Sequence, residues 1–149
     1  MKSLLTIAEI QPYHAEFVAE VIKNRWDVSK ERALRFVDEY LTKRNDSNCY
    51  VAELNHIPVG MGTFHVNNDI GIDLHPWCIG LWVHPMSRGN GIGHEISLVR
   101  FEWARMLGYK TIYLDTISAQ RYHEKFGWED TGLVGFYDGT PTVVMKYDL

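Results

Sequence analysis

The chain has 149 residues, 46% hydrophobic and 23% charged, with a net charge of −4. These values describe one globular domain, 1–149, able to bury a core, and the mildly acidic balance offers no basic stripe for nucleic acid. No apolar run approaches the ~20 residues that cross a bilayer, and the opening MKSLLTIAEI lacks a signal-peptide layout, so a cytoplasmic protein without nucleic-acid or membrane partners is expected.

Residues 3–10 read as a strand. Pro12 then opens a helix, where proline is well tolerated, and Phe17, Val18, Val21 and Ile22 share one of its faces. A second helix begins at Ser29, with Ala33, Leu34, Val37 and Leu41 as its apolar stripe. Residues 49–54 and 58–66 form two strands around an Asn55-His56 turn, an antiparallel hairpin. Asn67-Asn68-Asp69 marks another turn. Residues 70–83 contain another strand, interrupted near Pro76. A long helix covers residues 91–107, with Ile92, Ile96, Val99, Trp103 and Leu107 inward and Gly108 as its C-terminal cap. A short strand at 111–114, a helix capped by Ser118, and strands at 128–134 and 142–147 complete the chain. Cys49 and Cys78 supply neither a disulfide framework nor a metal spacing and are expected as buried apolar side chains. His65, His75 and His84 lack ligand spacing on one element, so no metal is expected. The crossover helix makes its flanking strands parallel. The fold expected is α/β, a mixed, mostly antiparallel central sheet flanked by helices.

The most informative stretch is Arg88-Gly89-Asn90-Gly91-Ile92-Gly93, between an apolar strand and the long helix. The first turn of a helix carries unpaired N–H groups and partial positive charge, a natural anion site. The glycines let backbone approach a phosphate closely, and Arg88 adds a charged donor. A P-loop would need Lys-Ser/Thr after the glycines. A dinucleotide fingerprint would need glycine where His94 stands, and the chain after Asp115 is too short for the rest of a doubly wound sheet.

The pattern [QR]-x-x-G-x-[GA], filled by Arg88, Gly91 and Gly93, together with the segment A-Q-R-Y-H-E-K-F-G-W at 119–128 and the order of elements, resembles the GNAT superfamily of acyl-CoA-dependent N-acyltransferases. The resemblance covers most of the chain. It implies acetyl-CoA as co-substrate, with the backbone of Leu81, Trp82 and Val83 pairing with the pantetheine arm. It further implies that backbone N–H groups from Gly89 through Asn90, Gly91, Ile92 and Gly93 to His94 hold the pyrophosphate. Trp82 and His94 have packing as the alternative use of their side chains. Exposed edge strands in that family also support a homodimer.

Acyl transfer to an amine needs an acceptor for the amine proton, an N–H donor for the developing oxyanion and a proton donor for the departing thiolate. The family's acid is a Tyr; alignment on Glu124-Lys125-x-Gly127 places His123 there and Tyr122 one residue earlier. Tyr122 shares a helical face with Ala119 and Phe126, which favours packing, and functional roles are open to His123, to Tyr122 or to neither. A histidine of ordinary pKa is only about a quarter protonated at pH 7. On this reading His123→Ala lowers kcat with little change in acetyl-CoA affinity. Thr116 replaces an Asn frequent in the family. Asp115, at a strand end, could relay the amine proton or be a plain solvated carboxylate. Asp73 and Trp77 sit in a D-x-x-x-W segment similar to the family's D-x-x-P-W, implying acceptor binding, against a turn residue and a core residue. The expected activity is transfer of acetyl to a primary amine of a small molecule. A protein or peptide N-acetyltransferase and a non-catalytic acyl-CoA-binding module are the alternatives.

Overall fold

The computed structural model describes residues 4–149. Strand β1 (Leu5–Glu9) leads to a 3-10 turn at Pro12–His14 and then to α1 (Ala15–Trp26). Ser3, expected in the first strand, lies outside the described residues. Helix α2 (Lys30–Leu41) is capped by Ser29, whose Oγ accepts the Arg32 N–H at 3.1 Å, an interaction worth about 1 kcal/mol. Its buried face is Ala33, Val37 and Tyr40, whereas Leu34 is exposed. The stripe turns toward Tyr40 because the phenol has a buried partner, His65 Nε2, at 2.8 Å.

The hairpin of β2 (Asn48–Leu54) and β3 (Ile57–His65) forms as expected. Asn55 and His56 both take left-handed φ, 51° and 68°, the conformation that matches a tight turn to strand twist. The next strand, β4, is only Trp77–Val83. Within the stretch 70–83 expected to contain this strand, residues 70–76 are a loop. Its apolar residues Ile70, Ile72 and Leu74 pack around Trp77 and Val144 without joining a ladder, and Pro76 has no N–H to give one.

Helix α3 (Ile92–Met106), β5 (Thr111–Thr116), α4 (Gln120–Glu124), β6 (Glu129–Tyr137) and β7 (Thr140–Asp148) follow. Ser118 does not cap α4; Thr116 Oγ1 accepts the Ala119 N–H at 2.9 Å instead. The sheet runs β1-β2-β3-β4-β5-β7-β6, with β4 and β5 parallel and the other neighbours antiparallel. Helices α1 and α2 cover one face, over Cys49, Val51 and Met61. Helix α3 covers the other, over Phe64 and Cys78 at one end and Ala52, Leu81 and Val83 at the other.

Two departures matter for the site. The buried face of α3 is Ile92, Gly93, Ile96, Ser97, Arg100, Phe101 and Ala104, with Val99, Trp103 and Leu107 only partly buried. A charged residue therefore sits on the inward stripe. In β4, Cys78 and Leu81 both meet the α3 side although they are three residues apart. The extra residue is a β-bulge at Gly80, whose φ is +68°, and it resets the alternation of the strand.

The His65–Tyr40 pair on the α2 face yields a pH prediction. Burial holds the His65 imidazole down to about 4 from its ordinary 6.5. The unfolded chain therefore binds a proton between these values while the native state does not, and native stability falls as pH drops through that window. The expected loss from this group is up to about 3 kcal/mol. Urea unfolding at pH 7 and pH 4 measures it, and His65→Gln flattens the difference.

Candidate active site

In the described residues β4 and β5 are registered at one position, Trp77 opposite Tyr113. Beyond it the strands separate, leaving a wedge with Ile79–Val83 on one side and Asp115–Thr116 on the other. Leu81, Trp82 and Val83 are partly exposed along this opening. A parallel neighbour that leaves the ladder leaves strand N–H and C=O groups available to a ligand.

The glycine turn stands at the end of β4. Gly89 and Gly91 take φ of +82° and +77°, and a Cβ at either would meet nothing within 4 Å. The turn is thus open on its outer side, and it needs glycine for its backbone path. Gly91 is the N-cap of α3, and no side chain caps the helix there. The first helical bond, Glu95 N–H to the Gly91 carbonyl at 3.1 Å, leaves the amides of Ile92, Gly93 and His94 without helical partners. Asn90 Nδ2 donates to the carbonyls of Ser87 and Arg88 at 3.2 and 3.3 Å and holds the turn in shape. Arg88 is exposed and tied to the strand end by Nε donating to the Val83 carbonyl at 2.8 Å. The His94 ring stacks on Phe126 at 4.4 Å, so its side chain packs α3 against the turn that follows α4 and leaves its amide as the group available to the glycine turn. This donor set fits a diphosphate.

Tyr122 is not a core residue. It is 41% exposed, and its hydroxyl oxygen lies 2.8 Å from where a Cβ on Gly93 would sit, with Leu81 Cδ2 3.5 Å from the same point. The phenol therefore reaches across the wedge to the start of α3, and Gly93 is the residue that leaves room for it. Burial raises the Tyr122 pKa above 10, with the nearby Arg100 charge opposing. The phenol keeps its proton at neutral pH.

His123 turns elsewhere, its ring 6.3 Å from Trp128 and 5.2 Å from Tyr122 between centroids. Burial first, and the Arg100 charge second, pull its pKa to about 4. The imidazole is neutral at pH 7 and has no imidazolium proton to deliver. Five residues make α4, and one step along a helix turns a side chain by about 100°, enough to exchange the two aromatic positions.

Asp115 is partly buried at the wedge. Asn68 Nδ2 donates to its Oδ1 at 3.0 Å, yet burial outweighs that bond and raises the carboxyl above its ordinary value. Asp73 is on the loop surface, paired with His75 Nε2 at 2.9 Å. It lines a cavity of about 320 Å³ with Asn68 and His75. Trp77 is corrected from pocket wall to core. It is 0% exposed and its indole N–H donates to the Leu74 carbonyl at 2.6 Å.

On the α1 side a second cavity of about 390 Å³ is lined by Phe17, Glu20, Val21, Asn24, Arg25 and Trp82. It adjoins the bulge through Trp82, where pairing with β3 resumes after Gly80. No motif in the sequence marks Phe17 and Glu20, which successive turns of α1 bring into line with Asn24.

A family model described as Acetyltransferase (GNAT) family matches residues 11–128. No curated protein matches the sequence. Among solved structures, an aminoglycoside N-acetyltransferase, AAC(6')-Iy, in complex with CoA is similar at 21% identity and a TM-score of 0.79, over 92% of this chain and 95% of that one. The yncA protein of Salmonella typhimurium, with acetyl-CoA, is similar at 17% and 0.78, over 98% and 94%. A ribosomal-protein-alanine N-acetyltransferase from Brucella melitensis is similar at 16% and 0.75, over 97% and 99%. At these identities the likeness is one of fold.

Proposed function

The chain belongs to the GNAT acetyltransferase family, and on that premise we propose that it moves an acetyl group from acetyl-CoA directly to a primary amine of a small molecule, in the cytoplasm. The observation that carries the reading is the wedge beside β4, with uncapped helix amides at one end and the Tyr122 hydroxyl reaching over Gly93. Bound acetyl-CoA supplies an activated thioester and a thiol leaving group. Leu81, Trp82 and Val83 offer strand backbone along the pantetheine arm, and an N–H of this stretch polarises the acyl carbonyl. The amides from Gly89 to His94, with Arg88, hold the pyrophosphate.

Tyr122 takes the acid role in place of His123, because its hydroxyl is protonated and lies in the wedge. Asp115 takes the amine proton, directly or through water. Its raised pKa moves it toward the range useful to a base, and Asn68 orients it. Asp73 remains a candidate for holding a cationic part of the acceptor at the loop cavity. The α1 groove suits a compact amine. Phe17 and Trp82 lie 6.0 Å apart as apolar walls, with the Glu20 carboxylate on the same lining.

A panel of small amines and peptides assayed by free-thiol release tests this reading. Turnover is expected with small amines, polyamines or aminoglycosides above peptides. Turnover with peptides alone replaces the acceptor class, and tight CoA binding without turnover by any amine leaves a binding module.

A further inference from the structure

Arg100 is 2% exposed on the inward face of α3. Among the described residues it has no carboxylate partner at ion-pair distance. Its partners are the carbonyls of Thr63 and Ile79, reached by Nη1 at 3.0 and 3.2 Å, and Ser97 Oγ, reached by Nη2 at 3.1 Å. Its Nε makes no hydrogen bond. Space for the guanidinium comes from Gly62, where a Cβ would lie 3.2 Å from Arg100 Cζ and 2.5 Å from Ile96 Cγ2. A buried cation without a counter-ion is destabilising relative to an apolar side chain, so its placement calls for a role beyond packing.

That role is visible in what it holds. The Ile79 carbonyl, the residue before the bulge, is gripped from both faces of the sheet. Thr63 Oγ1 donates to it at 2.6 Å on the α1–α2 side, and Arg100 donates on the α3 side. Ile79 is the last residue before the bulge in register with β3, opposite Thr63, and pairing resumes at Trp82 opposite Met61, so these two side chains fix the carbonyl at the edge of the unpaired stretch. The N–H groups that follow Gly80 border the wedge, and their direction depends on where the Ile79–Gly80 peptide is held.

We propose that Arg100, with Thr63, is a positioning residue for acetyl transfer, bracing the Ile79 carbonyl so that the β4 bulge aims its N–H at the acyl carbonyl. The proposal rests on acetyl-CoA being the donor and is independent of the acceptor. A misaimed donor is expected to lower kcat by about 10–100-fold. CoA without an acetyl group lacks the thioester carbonyl that the bulge N–H is aimed at, so its affinity stays within about twofold.

The test is Arg100→Met, with Thr63→Val as a near-isosteric variant that removes the other bond to the same carbonyl and keeps the question open to measurement if Arg100→Met fails to fold. Isotope-edited infrared spectra of bound acetyl-CoA carrying a ¹³C carbonyl report the hydrogen bond without any acceptor. The wild type should show the band below its free-ligand frequency, and the variants should return it toward the free value while kcat falls and CoA affinity holds. An unshifted band with unchanged kcat in a folded variant, or loss of CoA affinity in proportion to kcat, overturns the proposal. Failure of the wild type to bind CoA overturns the donor reading and this proposal with it.

Discussion

Tyr122→Phe should lower kcat by about 100-fold at neutral pH, the effect of removing a general acid from the leaving group, while the KM for acetyl-CoA changes little. The ring remains to pack on Phe126, with centroids 5.2 Å apart, so the change removes the hydroxyl with its proton and little volume. His123→Gln, by contrast, should leave kcat within a few-fold, since its neutral ring lies beside Trp128. The pair of variants separates the two assignments. A large loss in His123→Gln with a small one in Tyr122→Phe would return the acid role to the position aligned with the family. Steady-state kinetics against a series of thiol leaving groups sharpens the result, because only loss of the acid makes the rate more sensitive to thiol pKa.

Gly80→Ala should lower kcat by about 100-fold or more, comparable to loss of one oxyanion donor, and should also weaken the fold. Gly80 holds φ at +68°, and an added Cβ would stand 2.7 Å from Thr63 Oγ1. The left-handed backbone costs about 1–2 kcal/mol for an L side chain, and the overlap adds to that. Thr63 cannot turn aside without releasing the Ile79 carbonyl. A melting temperature lower by about 5–10 °C is expected, with the protein still folded. An alanine variant with wild-type kcat and an unchanged melting curve would mean that the bulge neither strains the strand nor serves the reaction.

Much of the architecture is written in local chemistry. Asn55-His56 and Asp138-Gly139 mark hairpins by residues that tolerate positive φ, and each is found in that conformation. The glycine turn before α3 stands out because its residues need what only glycine supplies. The rest depends on neighbours distant in sequence. Ile70, Ile72 and Leu74 alternate as in a strand, but alternation reports burial of one face and says nothing about whether a ladder partner exists. Arg100 breaks the apolar period of α3, so a reading based on that period rotates the helix toward Val99 and Trp103. Only Gly62, 38 positions earlier, reveals that the interior has room for a guanidinium. The choice between Tyr122 and His123 turns on the helical angle of a five-residue segment, which a motif alignment does not contain.

The single registered pair between β4 and β5 has a mechanical consequence. Strands β1 to β4 form one hydrogen-bonded plate, and β5, β7 and β6 form another, with six registered pairs joining β5 to β7. The two plates meet at a seam one residue pair wide, supported from outside by the crossover helix. A ligand lying in the wedge pairs with one plate and fills against the other, so it acts as mortar in the seam. Cohesion of the folded chain then becomes a function of how much donor is present, adding about 2.7 kcal/mol at a hundredfold excess over its Kd.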